Sequence, residues 1–171
     1  MKKVLQSKVF PICLLSLILL ILLICVLRIP TRLFASNFNA NTNLPIGLLQ
    51  NSVDWTGFTP EGGFGMMCFG RETDTGYLGY YYSNWPDAIF GRQRVDYITI
   101  RDSAIEIYGI SLGDDPHDAE HILLDHGFRR GRNENQYIQW GVIITLRSAQ
   151  NSGITEMTIA VPSTNILGVV F

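Results

Sequence analysis

The stretch VIITLRSAQNSGITEMTIAV, residues 142–161, decides the fold class. In its first half Val142, Ile144 and Leu146 alternate with Ile143, Thr145 and Arg147. In its second half Met157, Ile159 and Val161 alternate with Glu156, Thr158 and Ala160. A period of two is the periodicity of a strand with one buried face. Gln150-Asn151-Ser152-Gly153 between the halves is turn chemistry, so the stretch predicts an antiparallel hairpin.

Working back along the chain, the period changes to that of a helix. Asp114 or Asp115 can cap it, Pro116 suits its first turn and Gly127 its end. Ala119, Ile122 and Leu123 share one face at i, i+3, i+4 spacing, with Leu124 and Phe128 widening the contact, so this helix should lie on the sheet. Further back, Val95 to Arg101 is rich in β-branched and aromatic residues, with Ile98 and Ile100 on one face. Met66-Met67-Cys68-Phe69 and Tyr77-Leu78-Gly79-Tyr80-Tyr81-Tyr82 flank a polar turn and read as a second hairpin. In it Tyr80 and Tyr82 should share the side of Leu78, and Tyr77 and Tyr81 the other. Trp85-Pro86-Asp87 turns the chain, and Leu167 to Phe171 is an apolar tail suited to an edge strand. The expected class is α+β, an antiparallel sheet with one packed helix.

A different feature precedes this domain. Val9 to Leu27 is nineteen residues without charge, with Ser16 its one polar side chain. As a helix it would be about 28 Å long, close to the roughly 30 Å of bilayer hydrocarbon. Lys2, Lys3 and Lys8, the chain's three lysines, stand before it, and Arg28 and Arg32 follow. The larger positive flank predicts a cytoplasmic N-terminal tail, with the remainder outside. Residues 1–35 carry a net +5 and residues 36–171 a net −7, a split hidden in the overall −2. The apolar run exceeds the 7–15 residues of a cleaved secretory signal, and Leu33-Phe34-Ala35 places a bulky residue where cleavage wants a small one. The reading is a retained signal anchor, a single transmembrane helix.

The expected organisation is thus a cytoplasmic tail and anchor over 1–32, an Asn-rich tether over 33–43 and an extracytoplasmic domain over 44–171. The Ser36-to-Asn43 stretch, polar and asparagine-alternating, has a linker's composition. Cys13 and Cys25 fall within the apolar run, leaving Cys68 alone in the domain, so an intradomain disulfide is excluded. The chain has no Asn-x-Ser/Thr glycosylation site, which suits the bacterial cell envelope.

Three groups of residues are candidates for chemistry. His117-Asp118-Ala119-Glu120-His121 matches the H-x-x-E-H pattern of inverzincin metallopeptidases, so His117, Glu120 and His121 are the candidates for a metal site. The sequence marks no third ligand, and an exposed polar helix face is the plainer account, so no metal or other cofactor is expected. Arg129, Arg130 and Arg132 form a basic cluster beyond the helix, and Tyr77, Tyr81 and Trp85 an aromatic stretch. Both suit an interaction surface. The acidic balance of the domain disfavours nucleic acid. The glycines at 62–65 do not form G-x-G-x-x-G, and Cys68 in an apolar run suits packing rather than nucleophilic attack.

Tyr108-Gly109-Ile110-Ser111-Leu112-Gly113-Asp114, followed by the helix and Gly127-Phe128, resembles a segment of uncharacterised membrane-anchored extracytoplasmic proteins of Gram-positive bacteria. Ser83-Asn84-Trp85-Pro86-Asp87 fits their pattern as well. At fold level residues 80–171 are similar to the small α+β modules of outer-membrane assembly lipoproteins and β-lactamase-inhibitor proteins. The resemblance carries no functional residue with it. The resulting expectation is a membrane-tethered, non-enzymatic binding domain whose partner is an envelope protein or polymer. The alternatives are a metal-dependent hydrolase using the His117/Glu120/His121 helix and an inhibitor or immunity-type protein.

Overall fold

The structure, a computed structural model, describes residues 11, 13–20, 22, 33–63, 66–82, 94–149 and 152–161. The class is α+β. Among the described residues eight strands form one antiparallel sheet: β1 (Thr59–Gly63), β2 (Met66–Thr73), β3 (Gly76–Tyr82), β4 (Val95–Ile100), β5 (Arg129–Arg130), β6 (Gln136–Gln139), β7 (Val142–Ser148) and β8 (Ile154–Ala160). Their spatial order is β1-β2-β3-β4-β8-β7-β6-β5. Two four-stranded meanders therefore lie side by side, joined where β4 pairs with β8. The two hairpins expected from the sequence are β2–β3 and β7–β8. The expected strand at 95–101 is β4. Trp85-Pro86-Asp87 and the apolar tail at 167–171 lie outside the described residues.

One face of the sheet carries the core. Leu78, Tyr80 and Tyr82 of β3 meet Val95, Ile98 and Ile100 of β4, then Met157 and Ile159 of β8 and Val142, Ile144 and Leu146 of β7. Tyr80 and Tyr82 do share the side of Leu78, as alternation requires. Beside them Trp55 and Phe58 pack on Phe69, Tyr80 and Tyr82, with Phe58 stacked on Tyr80 at 4.7 Å between ring centroids.

Among the described residues three α-helical segments accompany the sheet, α1 (residues 13–20), α2 (residues 33–42) and α3 (Pro116–Asp125), together with one 3-10 turn at Gln50–Ser52. In α3 the Asp115 carboxylate accepts from the N–H groups of His117 and Asp118, and Pro116 occupies the first turn. Ala119 and Leu123 are buried and Ile122 packs beside them, the stripe expected from the sequence. Gly127 ends the helix at φ 87, a left-handed conformation glycine reaches without strain.

The segment expected to be a tether is helix α2, which corrects both the tether at 33–43 and the single packed helix. Ala35, Phe38 and Thr42 recur at helical spacing and are buried, Phe38 completely. Phe34 meets Phe128 edge-on at 5.9 Å, and Phe38 meets Tyr108 edge-on at 5.7 Å. The asparagines conceal this period because they occupy the outer side and the end. The Asn39 side chain donates to the Ile46 carbonyl, and Asn43 closes the helix at φ 56 with its N–H on the Asn39 carbonyl.

Among the described residues no helix is long and apolar enough to cross a membrane. Residues 9, 10, 12, 21 and 23–27 of the run expected to span lie outside them. The large apolar side chains described in and just after α1, Leu14 to Leu22, are 45–59 % exposed.

Candidate interaction surface

The second face of the sheet carries neither α2 nor α3, since the residues of both belong to the core on the opposite side. Directly paired residues of an antiparallel sheet share a face. Following the pairs from edge to edge gives one continuous row: Glu61, Cys68, Tyr81, Tyr97, Ala160, Ile143, Ile138 and Arg129. An acid stands at one edge, an arginine at the other, and the six residues between them are aromatic, aliphatic or thiol. The Tyr81 and Tyr97 rings meet edge to face at 5.2 Å. Cys68 and Ile143 are buried, whereas Tyr81, Tyr97, Ile138 and Ala160 are half-exposed. Two residues along each strand the row becomes Gly70, Gly79, Thr99, Thr158, Thr145 and Gln136. Two further along it becomes charged. Arg101 donates to Glu156 at 2.6 Å, and Arg147 pairs with the other oxygen of the same carboxylate at 3.0 Å. The face thus grades from apolar through hydroxyl-bearing to ionic along the strands.

Tyr77 shapes this face at the β1 side. Its hydroxyl donates to Glu61 Oε2 at 2.7 Å, the ring crossing from β3 toward β2 while the Glu61 side chain extends from β1 over Gly70 to meet it. The paired glycines Gly70 and Gly79 make that crossing feasible. A Cβ on Gly79 would stand 2.7 Å from the Tyr77 hydroxyl, and one on Gly70 2.8 Å from its ring. Cys68 donates weakly to the same Glu61 oxygen at 3.7 Å. Burial pushes the Cys68 thiol up from its ordinary value, with the Tyr81 hydroxyl opposing. Burial and the bond to Glu61 likewise push the Tyr77 phenol up. Neither the thiol nor the phenol is activated, so the two side chains form a shaped platform beside Glu61 rather than a nucleophilic centre.

The residues expected to act divide between the two faces. Tyr77, Tyr81 and Arg129 lie on the second face, but apart: the tyrosines are on β3 and Arg129 is five strands away on the edge strand β5, and Thr99, Thr158 and Ile143 between them are buried. Arg130, one residue on, points to the opposite face, where its guanidinium pairs with Glu120 of α3. Arg132 is exposed between β5 and β6, and Trp85 lies outside the described residues. The basic cluster is therefore not one patch, because strand geometry sends Arg129 and Arg130 to opposite sides. His117 and His121 do lie together on α3, their rings 4.6 Å apart. Glu120, however, is held by Arg130, which keeps its carboxyl below the usual range. Among the described residues no group of three or more His, Cys, Asp or Glu side chains is placed to hold a metal ion. Among the described residues, then, His117 and His121 have no third ligand beside them, and the Glu120 carboxylate is taken up by Arg130.

Tyr97, Ile138, Ile143 and Ala160 belong to the surface without having been singled out as candidates. Alternation places Ile143 and Ala160 on the outward side, but only the strand order shows that they continue Tyr81. Compared with known proteins, the chain matches no family model, no curated protein and no solved structure.

Proposed function

We propose that the chain is a single-pass protein of the cell membrane whose extracytoplasmic domain binds a protein partner through its open sheet face. The supporting observation is the eight-strand row from Glu61 to Arg129. It offers half-exposed tyrosines and aliphatic groups at its centre with opposite charges at its rims, the composition of a protein interface. A catalytic reading has no comparable support, because the unactivated Cys68 and the Arg130-bound Glu120 both lack the environment chemistry requires. The membrane reading draws on the uncharged run at 9–27, whose described side chains stand exposed, and on the lysine flank before it.

The test is photo-crosslinking in the native membrane, with the reactive group placed at Tyr97 on the open face or at His121 on α3. A single protein species captured from Tyr97 and not from His121 supports the reading. Capture of a glycan polymer from Tyr97 would replace the protein partner with a polymer. Capture from His121 alone would move the binding site to the helical face.

A further inference from the structure

The large apolar side chains that the domain leaves exposed, among the described residues, are Leu33, Leu48 and Trp140. All three lie at one end of the sheet. Val95 begins β4 at that end, and its N–H bonds to the Leu48 carbonyl. Trp140 is at the tip of the β6–β7 hairpin, immediately beyond the pair Gln139 and Val142. Phe128, one residue before the Arg129–Ile138 pair, is at the same end and receives the Phe34 ring, which places Leu33 there too. The apolar row of the open face is nearer this end, and the Arg101–Glu156–Arg147 row is nearer the other.

Trp140 is the most informative of the three. It is 63 % exposed and has φ 48, beside Gly141 at φ 85. Such a two-residue turn is met without strain by Asn-Gly or Gly-Gly. A tryptophan in the left-handed region, directed into solvent, satisfies neither local preference nor packing, and strain of this kind marks functional positions. An amphipathic ring is favoured at the headgroup level of a bilayer, where one part is dry and the N–H remains wet. The charge-free run at 9–27 ends only six residues before Leu33.

We infer that this end of the domain docks on the lipid surface, with Trp140, Leu33 and Leu48 seated in the headgroup region and the strands directed away from the membrane. The inference rests on the reading of residues 9–27 as a membrane span. It adds that the domain lies against the bilayer in a fixed orientation instead of standing off it.

The experiment uses the full chain in vesicles containing lipids that carry a nitroxide near the headgroup, with tryptophan emission as the readout. The wild type, Trp140→Phe and Thr155→Trp are compared; Thr155 is exposed on β8 at the opposite end. Flotation with the vesicles and an unchanged far-ultraviolet spectrum establish insertion and folding in each. The expected result is quenching of the wild type that falls by more than half in Trp140→Phe, while the tryptophan introduced by Thr155→Trp adds no quenched emission. Unquenched wild-type emission from a chain that floats would overturn the docked orientation and leave the tether standing. So would quenching that survives in Trp140→Phe, or quenching of the distal tryptophan. A chain that does not float would overturn the tether, and the inference with it.

Discussion

Replacing Phe38 by alanine tests whether α2 is part of the fold or a linker. The ring is fully buried, 5.7 Å edge-on to Tyr108 and 6.5 Å from Phe34. Tyr108 in turn stacks on His126 at 4.2 Å, and Phe34 meets Phe128, so Phe38 lies in a chain of rings joining α2 to the end of α3. Removing a fully buried phenylalanine forfeits its transfer free energy and leaves a cavity, together about 3–5 kcal/mol. For a domain of this size that is a fall in thermal midpoint of roughly 10–20 °C. Thermal and urea unfolding of the full chain in micelles, followed by circular dichroism, measures both. Asn37→Ala, one residue away on the exposed side of the same helix, should change stability by less than about 0.5 kcal/mol. A loss below about 1 kcal/mol for Phe38→Ala would refute the packing of α2 and restore residues 33–43 as a tether.

Two further outcomes follow from particular side chains. Asp102 is buried and accepts from the Thr75 hydroxyl at 2.5 Å, the Thr73 hydroxyl at 2.7 Å and the Ala104 N–H at 2.9 Å, fastening the β2–β3 turn to the end of β4. Burial works against its charge, but these donors outweigh it and hold the carboxyl below 3.8, so its contribution is complete above that value and is lost as pH falls through the lower folded one. Asp102→Ala should cost about 2–3 kcal/mol at neutral pH and flatten the acid limb of stability measured by urea titration. An unchanged acid limb would contradict this. His117→Ala/His121→Ala, and separately chelator treatment, should leave the thermal midpoint and crosslinking from Tyr97 unchanged. A chelator-induced drop that the double variant abolishes would establish a metal site on α3.

The parts of the fold legible in the sequence were those whose periodicity no other preference obscures. The β7–β8 hairpin alternates cleanly because one face is core and the other carries Thr145, Arg147, Glu156 and Thr158. Helix α3 announces itself through its Asp115 cap and Pro116. Helix α2 does not, because alternating asparagines give it a linker's composition while Ala35 and Phe38 keep the helical period underneath. Strand β6 was hidden by shortness, with Tyr137 its one buried side chain, and two-residue β5 carries no periodic signal at all. The interaction surface was half legible. Alternation within β3 puts Tyr77 and Tyr81 on the outward face. No local pattern reveals that β8 lies beside β4, and that non-local pairing is what extends Tyr81 and Tyr97 to Ala160, Ile143 and Arg129.

The central claim, binding through the open sheet face, is tested most directly by the affinity of a purified partner for the full chain carrying Tyr97→Arg. The partner is the one captured from Tyr97, and Arg132→Ala serves for comparison. Tyr97 is at the middle of the row, so a bulky charge there should weaken binding by about tenfold or more, as loss of a central aromatic contact does. Arg132, exposed off the row, should alter binding less than about twofold. Equal affinity for Tyr97→Arg and the wild type, with the fold of the variant intact, would contradict the account.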